Sequence, residues 1–409
     1  MRALSPAGAP TIGELSVEDA RTRMLDVGSI IRTETIPLDR GAMGRVLAEP
    51  ITAVRDQPPF DASAMDGWAI RADGDPGVFA VAGESAAGRA FTGVVGPGQA
   101  VRIFTGAEVP AGCRVVVQEA SERLEGGVRL AFTPDAPVYV RRRGGDFAAG
   151  DPLLPAGVRL DAWRLALAAA AGRAEAAVAV RPRVAVLSTG EEIVPAGLAL
   201  RPDQIFDSAG PALSALVQGW GGAAQSLPPA GDTEQAILAA IAAAQADLIV
   251  TVGGASVGDH DLVKPALRRL GLNLLVDTVR MRPGKPVWFG TLEDGRRVLG
   301  LPGNPASALV CAELFLRPLI MADLGADPAP RMTTARLAGA LPKGGPREHW
   351  MRGALTVSPD GVLTAEAFPD QESSLVSVFA RADGLIRRPI GAPPAAAGDL
   401  VDVLRLERL

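Results

Sequence analysis
The stretch ADLIVTVGGASVGDHDLVK, residues 246–264, decides how this chain is read. Its apolar, β-branched run Leu248–Val252 has the length of an interior parallel strand. Gly253, Gly254 and Gly258 follow, and residues without a Cβ let the backbone approach a ligand closely; Ser256 lies inside the same loop. Asp259 and Asp261 then stand at the expected start of a helix continuing through Leu270. Free N–H groups at a helix start favour an anion, and an acid there either caps the helix or holds a metal ion that bridges to the anion. The plainer alternative is a capped strand-to-helix loop with no ligand.

Outward from this point, strand-like and helix-like segments alternate. RVAVLST, SAGPALSALVQGWG, AILAAIAAAQA, ADLIVTV, VKPALRRLG, RRVLGLPG and ASALVCAELFLRPLI succeed one another between 183 and 322. That alternation predicts a parallel, doubly wound sheet with helices on both faces. Earlier, VFAVAG, AVRIFTG, RVVVQEA and VRLAFT are short runs between turn residues, which predicts a small β domain. SVEDARTRMLDVG, with Ser16 before Glu18 and Asp19, reads as a capped opening helix, and LDAWRLALAAAAGRA restores a helical pattern after the β region. The expected fold class is therefore α/β plus β: a discontinuous helical and linker domain (1–55 and 145–180), an inserted β domain (56–144), a central α/β domain (181–328) and a C-terminal β domain (329–409).

In an open α/β sheet, ligand groups gather beyond the carboxyl ends of the strands. Those ends are Ser188-Thr189-Gly190 followed by Glu191 and Glu192, the Gly253 loop with Asp261, and Leu301-Pro302-Gly303-Asn304-Pro305, with Arg282-Pro283-Gly284-Lys285-Pro286 between them. Carboxylates from two loops beside two cations and a glycine cradle suit a magnesium-assisted reaction at a phosphate. The alternative is that Glu191 and Glu192 cap a helix and Arg282 is simply exposed. Lys264, Lys285 and Lys343 are the only lysines among 41 basic residues, and two of them fall in this region. A lysine presents a compact point charge to an oxyanion, where arginine presents a planar fork.

Composition excludes several classes. A 409-residue chain exceeds what one core usually supports. The formal charge of −5 leaves no basic stripe for nucleic acid, and RRR at 141–143 is the only run of three basic residues. Cys113 and Cys311 lie far apart without CxxC spacing, and His260 and His349 are the only histidines, so neither a structural zinc site nor a disulfide framework is expected. No signal-peptide profile and no run of 18 apolar residues is present, which predicts a soluble cytoplasmic protein without a membrane segment.

The motifs PPFDASAMDGWA (58–69), RIFTGAEVPAGC (102–113), VRRRGGDF (140–147), LSTGEEI (187–193), VGGASVGDHD (252–261), RPGKP (282–286) and GLPGNPASA (300–308) resemble those of the molybdopterin molybdenumtransferase (MoeA) family, related to the gephyrin E domain. Their order and spacing run through nearly the whole chain. The resemblance implies an elongated homodimer of four-domain subunits with a central molybdopterin-binding domain. It also implies molybdate and adenylylated molybdopterin as substrates, release of AMP, and Mg2+ as cofactor.

Carried over by motif, Asp61, Thr105 and Asp146 come from the inserted β domain and the segment after RRR. Glu192, Asp232 and Asp261 supply acidic groups, with Asp261 and Glu192 as metal ligands, and Arg282 and Lys285 face anionic groups. Ser188, Thr189, Gly190, Gly253, Gly254, Ser256, Gly258, Pro302, Gly303, Asn304 and Pro305 shape the substrate pocket, with Arg347 and Ser374 or Ser377 closing the molybdate site. The chain departs from the family pattern at Gly145, Ala209 and Arg282. A molybdopterin adenylyltransferase and molybdenum-enzyme maturation proteins are the implied partners. An adenylyltransferase of the same pathway and a gephyrin-like scaffold are the competing readings; the extra β domains and FDASAMDG speak against the first, and the retained acidic and basic positions against the second.

Overall fold
A computed structural model describes residues 14–254 and 262–407. The chain forms two compact units, one ending at Glu34 and resuming at Val178, the other spanning Thr35–Ala177. The expected insertion, 56–144, therefore shares a unit with both of its flanks. Backbone hydrogen bonds explain this: Ile51–Thr52 pairs with Pro152–Leu154, Gln57 N donates to Phe147 O (2.8 Å), and Val54 N donates to Ala171 O (2.9 Å).

In the Thr35–Ala177 unit, a six-stranded sheet has the order Cys113–Val117, Gly67–Arg71, Gln99–Ile103, Gly77–Ser85, Gly127–Leu130, Ser121–Leu124. Successive residues of a strand face opposite sides, and here both sides are covered. Trp68 and Ile70 pack with Phe79, Val116 and Leu130, while Ala69 packs with Val101, Ile103 and Val115. Helix Ala162–Ala170 starts at Asp161, whose carboxylate accepts the Arg164 N–H.

The other unit opens with helix Val17–Leu25, where Ser16 accepts the Asp19 N–H. Its central sheet runs Ala223–Ser226, Arg183–Ser188, Leu248–Val252, Arg297–Leu301, Trp288–Thr291, Asn273–Val276. The first four strands pair in parallel and the last two pairings are antiparallel, so Trp288–Thr291 runs against the other five and the sheet is mixed and not purely parallel as expected. The reason is local: the Asp294-Gly295 turn folds Trp288–Thr291 back on Arg297–Leu301 as a hairpin, with Leu292 N donating to Arg296 O at 2.8 Å.

Helices Ala209–Gly219, Glu234–Ala243 and Val263–Arg268 accompany this sheet. The last is shorter than the sequence suggested. Its chain turns at Gly271, φ +74°, where Leu272 N bonds to Leu267 O, closing the helix before Leu270 can extend it. A 19-residue helical run, Pro305–Asp323, is long and apolar enough to span a bilayer by composition, yet 89% of it is buried inside the fold. It holds Glu313, Arg317 and Asp323, all buried, and serves as a core helix. Each fully buried Leu, Ile or Val in this core contributes about 1.5–3 kcal/mol.

The C-terminal sheet closes on itself. Glu348–Val357 pairs with both Leu363–Ala367 and Gly384–Arg388, and the circuit runs on through Met332–Leu337 and Leu400–Arg405. Two residues of the α/β segment, Met281–Arg282, join its edge in parallel beside Glu348 and His349. That pairing fixes the Arg282 loop against the C-terminal domain.

Candidate active site
Register brings the expected loops together. Ser188, Val252 and Leu301 are aligned neighbours at the carboxyl ends of three adjacent parallel strands, so the chains leaving them emerge side by side. Gly253 has φ +96°, a conformation that L side chains rarely adopt, and a Cβ there would lie 2.7 Å from Thr189 O. Only glycine allows the two loops this approach, and Thr189 N bonds to Val252 O (2.9 Å) across the gap.

Beyond these ends lies a cavity of about 780 Å³. Ser188, Thr189, Gly190, Gly253 and Gly254 line it, as do Pro302, Gly303, Asn304, Pro305 and Ser374. Among the described residues its charged members are Glu192, Asp207 and Asp232, and no described lysine or arginine lines it. No helix begins at Glu191 or Glu192; strand Ile193–Val194 follows and pairs with Ile205–Phe206, so helix capping does not account for the two glutamates. Asp232 is tied to the loop by the Glu191 N–H (3.3 Å).

Sequence reasoning left Asp207 out of the site. Its carboxylate accepts Ser188 Oγ–H at 2.8 Å and the Gly210 N–H at 2.9 Å, which makes it part of the cavity floor. The signal was its place beside Ser208 and Ala209, before the helix that starts at Ala209.

A second cavity of about 310 Å³ adjoins the first and shares Pro286, Pro302 and Asn304 with it. Its character is opposite: among the described residues Arg282, Lys285 and Arg347 line it, with Glu372 as the one acid. Arg282 is exposed, as the plain alternative held, and it also borders this space. Lys285 Nζ stands 3.5 Å from Glu14 Oε1. Ser307 and Ser373, neither of which the sequence reading named, border the cavity too. Asn304 Nδ2 donates to Ser373 Oγ (2.8 Å) and Ala306 N to Ser373 O (3.1 Å), joining the LPGNP loop to the C-terminal domain.

Ser374 closes a turn onto Glu372, whose carboxyl is held below its ordinary range first by the Ser374 hydroxyl and then by the Ser374 N–H. Gln371 anchors this loop by accepting the Arg352 N–H (2.9 Å) and donating to the carbonyl oxygens of Arg352 (2.9 Å) and Phe368 (2.8 Å).

Asp61, Thr105 and Asp146 belong to the Thr35–Ala177 unit. Asp61 accepts from Arg142 Nη1 (2.7 Å) and Arg143 N (2.8 Å), and these bonds, the backbone one foremost, hold its carboxyl below the usual range. Thr105 donates both its N–H (2.7 Å) and its hydroxyl (2.8 Å) to Asp66 Oδ1, making Asp66, the second acid of FDASAMDG, the partner that sequence reasoning missed. Asp146 N bonds to Gln57 O (2.9 Å). Ser256, Gly258 and Asp261, with His260, lie outside the described residues. Among the described residues no three His, Cys, Asp or Glu side chains converge to hold a metal ion, and both cysteines are free.

Three sequence regions match known families: 15–172 the MoeA N-terminal region (domain I and II), 185–322 a probable molybdopterin binding domain, and 334–406 the MoeA C-terminal region (domain IV). The molybdopterin molybdenumtransferase of Nostoc sp. is 36% identical over 379 residues, covering 89% of this chain and 87% of the relative. The chain belongs to the MoeA family. Molybdopterin molybdenumtransferase 2 of Mycobacterium tuberculosis is 35% identical over 409 residues, 95% of this chain and 98% of the relative. A crystal structure of the molybdopterin biosynthesis MoeA protein from Pyrococcus horikosii superposes with a TM-score of 0.82 at 30% identity, covering 97% of this chain and all of that one. Within this MoeA-family chain, the acidic cavity is built mostly by the molybdopterin binding match. Arg347, Gln371, Glu372 and Ser373 of the cationic cavity come from the C-terminal MoeA match.

Proposed function
We propose that this chain transfers molybdenum from molybdate to molybdopterin in cofactor biosynthesis, with adenylylated molybdopterin as the acceptor and AMP as the released group. The observation that carries the reading is the pair of joined cavities of opposite charge. A pterin with a phosphoanhydride needs the larger space, and a small tetrahedral dianion needs a compact cationic one. Arg282, Lys285 and Arg347 offer three positive charges around about 310 Å³, and Pro286, Pro302 and Asn304 form the shared border across which the two substrates meet.

The larger cavity supports a divalent cation. Among the described residues, an anhydride entering this space meets the like charge of Glu192, Asp207 and Asp232 and no basic side chain, and Mg2+ relieves this while keeping several waters and needing only one or two carboxylates. Glu192 and Asp261 are the proposed ligands, while Asp207 already accepts one hydrogen bond on each carboxylate oxygen from the cavity floor. Bound there, Mg2+ would supply charge neutralisation as the anhydride breaks. Gly253 and Gly254 give the pterin phosphate a close backbone approach, and the exposed Ile205 and Phe206 form an apolar wall beside it.

We further propose a cytoplasmic homodimer in which Asp61, Thr105 and Asp146 of one subunit complete the partner's site; a solution mass equal to one chain would remove that part. Delivery of the adenylylated pterin by the adenylyltransferase and hand-over to maturation proteins follow from the same assignment. The deciding experiment is single-turnover AMP release from adenylylated molybdopterin with Mg2+, with and without molybdate. Molybdate-dependent release with molybdenum retained on the pterin supports the assignment. Tight pterin binding without release under any metal would contradict it.

A further inference from the structure
The floor of the larger cavity carries two side chains whose contacts no step above explains, Ser188 and Asp207. The Ser188 hydroxyl donates its only proton to Asp207 Oδ2 (2.8 Å), and Oδ1 accepts the Gly210 N–H (2.9 Å). Asp207 N in turn donates to Val194 O (2.8 Å), which fixes the residue against the paired strands Ile193–Val194 and Ile205–Phe206. A Cβ at Gly210 would stand 2.5 Å from Asp207 Oδ2 and 3.1 Å from Ser188 Oγ, so the absence of a side chain there keeps the three groups together.

These bonds set the polarity of the floor. A hydroxyl has one proton, and with that proton committed to Asp207 the Ser188 oxygen can only accept from the cavity. The carboxylate also keeps acceptor capacity, since it has about four lone-pair sites and these two bonds use one on each oxygen. Ser188 and Asp207 both line the cavity, as do Ile205 and Phe206, apolar and exposed. Pockets for small molecules combine apolar walls with a few placed polar groups that fix orientation. An acceptor fork beside an apolar wall suits a flat heterocycle that carries adjacent N–H donors on one edge. It repels phosphate and oxyanions, which bring like charge.

We propose that Asp207 determines specificity for the pterin ring: its carboxylate accepts the adjacent donors of the aminopyrimidinone edge, ring N3–H and the 2-amino group, while Ser188 holds the carboxylate and Ile205 and Phe206 cover the ring. This rests on the assignment of the larger cavity to adenylylated molybdopterin, and it says which end of that substrate the floor receives. The adenine of the same molecule offers no such pair, because its amino group stands beside unprotonated ring nitrogens. A dioxo pteridine, with oxygen in place of the 2-amino group, sets one acceptor against another. A site built to hydrogen-bond a substrate N–H rejects the analogue that lacks it, because its own polar groups are left unpaired. Loss of one charge-assisted hydrogen bond corresponds to about tenfold to a hundredfold in affinity. Asparagine at 207 replaces one acceptor oxygen by an NH2 donor. The amide then donates to the 2-oxo group and still accepts N3–H, so the preference turns round.

The test is displacement of molybdopterin from the full chain at neutral pH by 6-hydroxymethylpterin, by 6-hydroxymethyl-lumazine, which differs only in bearing oxygen for the 2-amino group, and by AMP. The wild type should favour the pterin over the lumazine by about tenfold or more. Asp207→Asn should reverse that order and leave displacement by AMP unchanged. Gly210→Ala, which pushes the carboxylate aside without removing its charge, should narrow the preference. Equal displacement by the two pteridines in the wild type, or by neither, overturns the proposal and leaves the cavity assignment standing. So does an unchanged order in Asp207→Asn; a weakened AMP would then place the fork on the ribose hydroxyls, and a lost Mg2+ dependence would place it on a metal-bound water. No binding of molybdopterin to the wild type overturns both readings. The wild-type order and Gly210→Ala keep the proposal open to refutation even if Asp207→Asn fails to fold.

Discussion
Glu313→Gln should abolish a pH dependence of stability that the wild type carries. Glu313 sits in the π-helical turn Ala312–Leu316 of the core helix, 4% exposed, and among the described residues its Oε2 has no hydrogen-bond partner. The nearest cation, Arg331 Nη2, stands 3.9 Å away, and Arg331 is also paired with Glu407. Burial pushes this carboxyl up from 4.5 to about 7, against the pull of Arg331 and Arg317. A folded-state value above the unfolded one means that the folded protein binds more protons between these two points. The stability contributed by the protonated group is complete below about 4.5 and is lost as pH rises through about 7. At about 1.4 kcal/mol per pH unit, the full loss is about 3 kcal/mol, of which most falls between pH 5 and pH 8. Glutamine keeps the shape and never ionises. Urea unfolding of both proteins at pH 5 and pH 8, followed by tryptophan fluorescence, should show the variant gaining about 2 kcal/mol on the wild type between the two conditions. An equal gap at both pH values would mean that the arginines hold Glu313 ionised throughout, and would refute the reasoning.

Other sites give sharper contrasts. Arg297 (2% exposed) and Asp323 (1%) form a two-bond buried pair that also anchors the Ile30 N–H at 3.1 Å, so Asp323→Ala strands a buried guanidinium and should cost about 3–5 kcal/mol in chemical denaturation. Gly253→Ala places a Cβ 2.7 Å from Thr189 O at positive φ and should cost at least about 1–3 kcal/mol while weakening pterin binding; wild-type pterin affinity would remove the glycine cradle from the site. Arg347→Ala should lower molybdate affinity by about tenfold or more, the loss of one charge-assisted contact, with pterin affinity unchanged. Equal loss of both ligands would show that the two cavities do not divide the substrates as argued.

Much of the site was legible because strand ends leave strong marks. Ser188, Val252 and Leu301 each close an apolar run before glycine, proline or acid, and parallel pairing then aligns them without further information. The antiparallel hairpin through Trp288–Thr291 was hidden, since VWFGT resembles any short apolar run and only Asp294-Gly295 marks the turn. The joining of the 56–144 segment to both of its flanks in the Thr35–Ala177 unit rests on pairings such as Ile51–Thr52 with Pro152–Leu154, which join residues about a hundred positions apart. Asp207 and Ser373 escaped for a related reason. Their significance lies in what tertiary folding places opposite them, Ser188 and Asn304, and no spacing along the chain records it. Asp66 could have been found, as it stands in the same motif as Asp61.

The division of labour between the two cavities is tested most directly by tungsten anomalous diffraction from crystals soaked in tungstate, a dianion of molybdate's shape. The account predicts the strongest peak in the smaller cavity, within contact distance of Arg282, Lys285 and Arg347. A peak in the larger cavity among Glu192, Asp207 and Asp232, or none where tungstate binds in solution, would contradict it.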